Sequence, residues 1–84
     1  MEVKIFSLKN GYEHYDNVKA IRIKSKDYNL LIMKDYLPVI GKIDGEIDIE
    51  RGENGIHLEH VEGFYMLTND IFQLVLKGNK DASK

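Results

Sequence analysis

The sequence predicts an all-β domain, a small β-sandwich or flattened barrel of about eight to ten short strands. Short apolar runs rich in β-branched residues, such as Val18-Lys19-Ala20-Ile21-Arg22-Ile23 and Gly45-Glu46-Ile47-Asp48-Ile49, alternate with polar turn clusters. Turn signals recur about every 8–12 residues, the spacing of sandwich and barrel hairpins. No stretch carries the i, i+3, i+4, i+7 apolar spacing of a helix of about ten residues or more.

The elements follow in order. Val3-Lys4-Ile5-Phe6-Ser7 alternates and opens as a strand, and Lys9-Asn10-Gly11 is a turn because Asn-Gly supplies positive φ. Tyr12 to Tyr15 forms a short strand that breaks at Asp16-Asn17. Val18 to Ile23 places Ile21 and Ile23 on one face and Val18, Ala20 and Arg22 on the other. After the charged turn Lys24-Ser25-Lys26-Asp27 comes Leu30 to Met33, apolar on both faces, which places it centrally. Lys34-Asp35-Tyr36 is a loop, and Pro38, lacking an N–H, belongs at a strand start or edge. Asp44-Gly45 reads as a turn into Glu46 to Glu50, with isoleucines inward and acids outward. Arg51 to Gly55 is a long hairpin turn, followed by strands at Ile56 to Val61, Gly63 to Leu67 and Ile71 to Leu76. Residues 1–77 form one domain, and Gly78 to Lys84, with one small apolar residue, is expected to be a flexible tail.

Composition narrows the function classes. The formal net charge is −2 and the lysines are scattered, which argues against an electrostatic nucleic-acid binder. Zero cysteines exclude disulfides, thiol catalysis and Cys-ligated zinc, and fit a cytoplasmic protein. Met1 to Lys4 lacks the apolar core of a signal peptide, and no apolar run approaches the ~18 residues of a membrane span, so no direct membrane insertion is expected.

The chemistry-bearing residues form no catalytic constellation, and no enzyme, cofactor or metal is expected. His57 and His60 lie three apart, on opposite faces of a strand, so only His57 and Glu59 share a side. Glu46, Asp48 and Glu50 make an acidic row, the usual solvated or edge-protecting face. Ser7, Ser25 and Thr68 lack a neighbouring His-and-acid pattern, and no phosphate-cradling glycine motif occurs. Tyr28 and Tyr36 sit in polar turns, where an aromatic side chain is a candidate interface anchor. Composition and spacing lead to a soluble β-sandwich that binds something, and they name no partner.

As an ordered series, the strands resemble the amino-terminal β-sandwich of the F-type ATP synthase epsilon subunit over about residues 1–77. Val3-Lys4-Ile5 matches the opening strand, and Val18, Ile21, Ile23 and Leu30 to Met33 keep the family's spacing through the polar turn. The family signature leucine-proline-glycine-histidine-alanine-proline falls on Met33, Lys34, Asp35, Tyr36, Leu37 and Pro38, with Asp35-Tyr36 in place of glycine-histidine. Val39-Ile40, Ile43 and Gly45 continue the pattern one residue short, and Gly63-Phe64, Asn69 and Ile71 to Leu76 match its close.

The resemblance implies a non-catalytic rotor subunit of the short form, without the helical hairpin that follows in longer members. It would be cytoplasmic and peripheral to the membrane through its complex. It implies a gamma-subunit face at Tyr36, Leu37, Pro38, Val39 and Gly41 and a rotor-ring loop at Lys24, Lys26, Asp27, Tyr28 and Asn29. The alternative is a stand-alone β-sandwich interaction module, or a diverged paralogue serving another complex, because shared architecture hosts unrelated functions.

Overall fold

Each alternating run becomes a strand in the computed structural model, which describes residues 1–79. The strands are β1 (Glu2–Ser7), β2 (Gly11–Tyr15), β3 (Ala20–Ser25), β4 (Asn29–Met33), β5 (Val39–Glu50), β6 (Ile56–Thr68) and β7 (Ile71–Asn79). They form one sheet in the order β2-β1-β7-β6-β5-β3-β4. Strands β1 and β7 are parallel, and every other neighbouring pair is antiparallel.

The fold is all-β, as the patterning requires. A flat single layer leaves both faces open to solvent. Yet Ile21, Ile23, Ile32, Ile47, Phe72 and Leu74 are fully buried, so the sheet curls over its own apolar face. The curl is tied where the chain enters β3: Val18 N–H donates to Met1 O at 3.0 Å and Lys19 N–H to Glu50 O at 2.8 Å. The first bond brings the start of β1 against the start of β3, four places away in the sheet order, and the second extends the β3–β5 ladder.

The strands number seven rather than eight to ten because two are long. The run from Val39 through Gly41 and Ile43 keeps its phase past Gly45, and β5 bends there instead of turning. Strand β6 likewise joins Ile56–Val61 to Gly63–Leu67. Between the pairs Gly45↔Val61 and Ile47↔Leu58, Glu59 and His60 of β6 stand opposite Glu46 alone, a β-bulge with His60 at φ 57°. The bulge shifts the inward-facing positions of β6 from even (Ile56, Leu58) to odd (Val61, Tyr65, Leu67), so both halves point into one core.

Two other expectations are corrected. Strand β4 lies at the end of the sheet, not its centre. Its apolar outer residues Leu31 and Met33 are 44% and 55% exposed, so a doubly apolar run here marks an uncovered edge. Strand β7 reaches Asn79, with Gly78 paired to Glu62 and Asn79 to Val61, so the first two residues of the expected tail continue the ladder. The remainder of that tail, residues 80–84, lies outside the described residues. Among the described residues, no helix is long and apolar enough to cross a membrane.

At Gly45 the chain passes so close to β3 that a Cβ would lie 2.2 Å from Lys24 O. Gly45→Ala therefore forces backbone apart at the bend, and we expect urea unfolding to show a loss of about 2–3 kcal/mol.

Candidate interaction surface

The turn between β3 and β4 is closed by a reciprocal backbone pair, Ser25 N–H to Tyr28 O at 2.8 Å and Tyr28 N–H to Ser25 O at 3.3 Å. It is also pinned to β5. Asp44 N–H donates to Ser25 Oγ at 3.0 Å, Lys26 N–H donates to Asp44 O at 2.9 Å, and Lys26 Nζ lies 3.8 Å from the Asp44 carboxylate. Lys24, Lys26, Asp27, Tyr28 and Asn29 are all exposed, yet they sit on a braced turn.

Tyr28 folds back from this turn over β5. Its hydroxyl donates to Lys42 O and lies 2.7 Å from the hydroxyl of buried Tyr65. Burial, and then the bond to Tyr28, push the Tyr65 pKa far above the usual phenol value, so the Tyr65 hydroxyl stays protonated at any physiological pH. Gly41 is what lets the Tyr65 ring lie there: a Cβ on Gly41 would fall 2.4 Å from the Tyr65 oxygen. The two implied partner segments thus meet, since Tyr28 from one and Gly41 from the other close on the same ring.

The second segment is more open. Tyr36 N–H donates to Met33 O at 3.2 Å, and Asp35, at φ 65°, donates its N–H to Asp70 Oδ1 at 3.3 Å. Asp70 also faces the Met1 ammonium at 3.8 Å, so the β6–β7 turn anchors the Tyr36 loop. That tertiary role has no signature in the sequence. Tyr36, Leu37 and Pro38 are exposed, Val39 and Gly41 are half-buried, and Leu37 and Ile40 reach 77% and 76% exposure. Pro38 stands immediately before β5, the strand-start position expected for a residue without an N–H.

The convex face carries a feature that residue-by-residue reading misses. Cross-strand partners line up as Tyr12, Phe6, Val75 and Phe64 across β2, β1, β7 and β6, all exposed, with Lys42 of β5 next. The Phe6 and Tyr12 rings pack with centroids 5.0 Å apart. Ile40 lies diagonal to Phe64, so this row runs into the Tyr36–Gly41 segment. The signal was present as three outward aromatics and a valine in four strands, but the register needed to align them was not.

Beyond the bend, charged groups cluster on β5 and β6. His57 Nδ1–H donates to the Asp48 carboxylate, while Nε2 lies 3.1 Å from Glu59 and 3.9 Å from Glu46. The acidic row of β5 therefore faces a histidine as well as solvent. Hydrogen bonds from Asp48 and then Glu59 raise the His57 pKa above its ordinary 6.5, against a smaller desolvation effect. On β2, His14 Nε2 lies 2.6 Å from Glu2 and 3.6 Å from Asp16, an exposed ion-pair group. The Ser7 and Ser25 hydroxyls accept bonds from Asn10 N–H and Asp44 N–H, which gives both serines a turn-bracing role.

No protein-family model and no curated protein matches the chain.

Tyr28→Phe leaves the Tyr65 hydroxyl buried without its partner, and denaturant unfolding should register a loss of about 1–2 kcal/mol. Adding Tyr65→Phe should cost little more, because the orphaned group is then gone. For His57, a raised folded pKa makes the contribution full below pH 6.5 and lets it fade as pH rises through the folded value. The midpoint difference between wild type and His57→Gln should therefore be larger at about pH 6 than at about pH 9; equal differences at both would refute the bonded imidazolium.

Proposed function

We propose that this chain is a non-catalytic central-stalk subunit of the kind it resembles, the ATP synthase epsilon β-domain. In this role it binds a gamma-type subunit through Tyr36, Leu37, Pro38, Val39 and Gly41. It meets a rotor ring through Lys24, Lys26, Asp27, Tyr28 and Asn29, and passes ion-driven rotation to the catalytic head as a cytoplasmic, membrane-peripheral part. The observation that carries the reading is the exposure of Leu37 and Ile40, both above three-quarters, in the segment the resemblance assigns to gamma. Nothing in the domain's own packing uses these side chains, and full burial of one contributes about 1.5–3 kcal/mol. The braced turn also fits a part that transmits torque, because Tyr28 links it to β5 through the Lys42 carbonyl and Tyr65.

One observation favours a second reading. The row Tyr12, Phe6, Val75 and Phe64 lies outside both implied partner segments, as expected of an interaction module serving another complex.

Titration calorimetry of the purified chain against the ATP synthase gamma subunit of its source organism separates the two. The stalk reading requires binding by the wild type and at least about tenfold weaker binding by Leu37→Asp, while Phe6→Ser changes little. No binding by the wild type overturns it. Binding lost in Phe6→Ser but kept in Leu37→Asp moves the interface to the aromatic row.

A further inference from the structure

We propose that the free chain dimerises by pairing β4 with β4 of a second copy, antiparallel and centred on Leu31. Strand β4 terminates the sheet and, among the described residues, pairs with β3 alone. The reciprocal Ser25–Tyr28 bonds set the phase of that ladder. In an antiparallel pair, bonded and non-bonded positions alternate, so the bonded pairs that follow are Ile23↔Leu30 and Ile21↔Ile32. The backbone N–H and C=O groups of Asn29, Leu31 and Met33 therefore point away from β3, toward the open edge. Among the described residues, only Met33 O has an internal partner there, the Tyr36 N–H, and a carbonyl accepts two bonds.

This set of groups is self-complementary. A two-fold axis at Leu31 puts Leu31 opposite Leu31 of the second copy and Asn29 opposite its Met33. Each such pair exchanges two backbone bonds in the narrow phase. The side chains agree with the backbone. Asn29-Leu30-Leu31-Ile32-Met33 has no charge, no proline and no bulge, the devices by which edge strands usually resist pairing. On the outer face Leu31 meets Leu31, and the neighbouring Arg22 is already held by Glu50 at 3.8 Å. The opposite edge of the sheet behaves differently. Strand β2 is centred on Glu13, so the same two-fold pairing there sets Glu13 against Glu13, and like charges directly opposite are destabilising. The sequence thus guards one edge and leaves the other open to its own kind.

The pairing does not rest on the stalk reading: it uses the β4 backbone, of which Asn29 alone falls in a segment assigned to a stalk partner, and not the Leu37 and Ile40 side chains. Sedimentation velocity on the full 84-residue chain, from about 10 µM to about 500 µM, tests it. We expect a concentration-dependent shift from monomer to dimer. Leu31→Pro deletes the outward N–H while leaving the β3 ladder bonds in place, and Leu31→Lys sets two ammonium groups together at an exposed site. Both should remain monomeric at the highest concentration with wild-type circular dichroism, whereas Glu13→Gln and Leu37→Asp should dimerise as wild type does. Amide hydrogen exchange should slow at Leu31 as concentration rises. A wild type that stays monomeric throughout, or a dimer that survives both Leu31 substitutions, overturns the proposal.

Discussion

The structure depends on one bend. With no helix among the described residues, an apolar face is hidden only by folding the sheet over, and β5 and β6 are the strands long enough to do so. The bend is placed where Glu59 and His60 oppose Glu46, with His60 in a left-handed conformation and Gly45 pressed against the Lys24 carbonyl. An extra residue in β6 alone changes its parity and not that of β5. Ile43, Ile47 and Ile49 accordingly keep one phase along β5, while β6 uses Leu58 on one side of the bulge and Val61 on the other. Without that shift, half of β6 would turn its apolar side chains to solvent.

The same bend distributes the surface chemistry. Beyond it, β5 presents Glu46 and Asp48 to His57, and the bulge brings Glu59 to the second imidazole nitrogen. Before it, β5 is lined by Gly41 on the inner side and by Ile40 and Lys42 on the outer, next to Phe64. The outer face of β5 and β6 is therefore charged beyond the bend and more apolar before it. Tyr28 reaches across from the β3–β4 turn to the apolar half, and its bond to Tyr65 makes turn and strand move together. On a stalk reading, a load on the ring-facing turn then passes to the gamma-facing segment through two hydroxyls and a carbonyl, with little slack.

Strand existence was legible because period-two patterning survives in most runs, from Val3-Lys4-Ile5 to Phe72-Gln73-Leu74, and because the doubly apolar run of β4 is bounded by polar turns. What patterning cannot encode is which runs join. Asp44-Gly45 has turn composition, yet it is a bend inside one strand. A glycine selected for close backbone approach looks, in sequence, the same as one selected for a turn. The candidate segments 24–29 and 36–41 were both found at the surface, but their meeting at Tyr65 was not legible, since Tyr65 reads only as another core aromatic. The Tyr12–Phe6–Val75–Phe64 row was hidden for a related reason. Its members are adjacent only after the parallel pairing of β1 with β7, the longest-range contact in the sheet.

Strand β4 shows where a sound rule gives the wrong place. Apolar residues on both faces of a strand normally mean cover on both faces, hence a central position. Here Ile32 and Leu30 turn inward, as the rule requires, while Leu31 and Met33 face outward with nothing from the same chain above them. The rule rests on the cost of leaving apolar area in water, and that cost applies to β4 as to any strand. A small domain has too little interior to absorb every such residue. The same holds for Leu37 and Ile40, so outward apolar side chains stand on both sides of residues 34–36, on β4 and in the segment that leads into β5. Their physical sense lies in association: a backbone edge suited to another strand and, beside it, side chains suited to another surface.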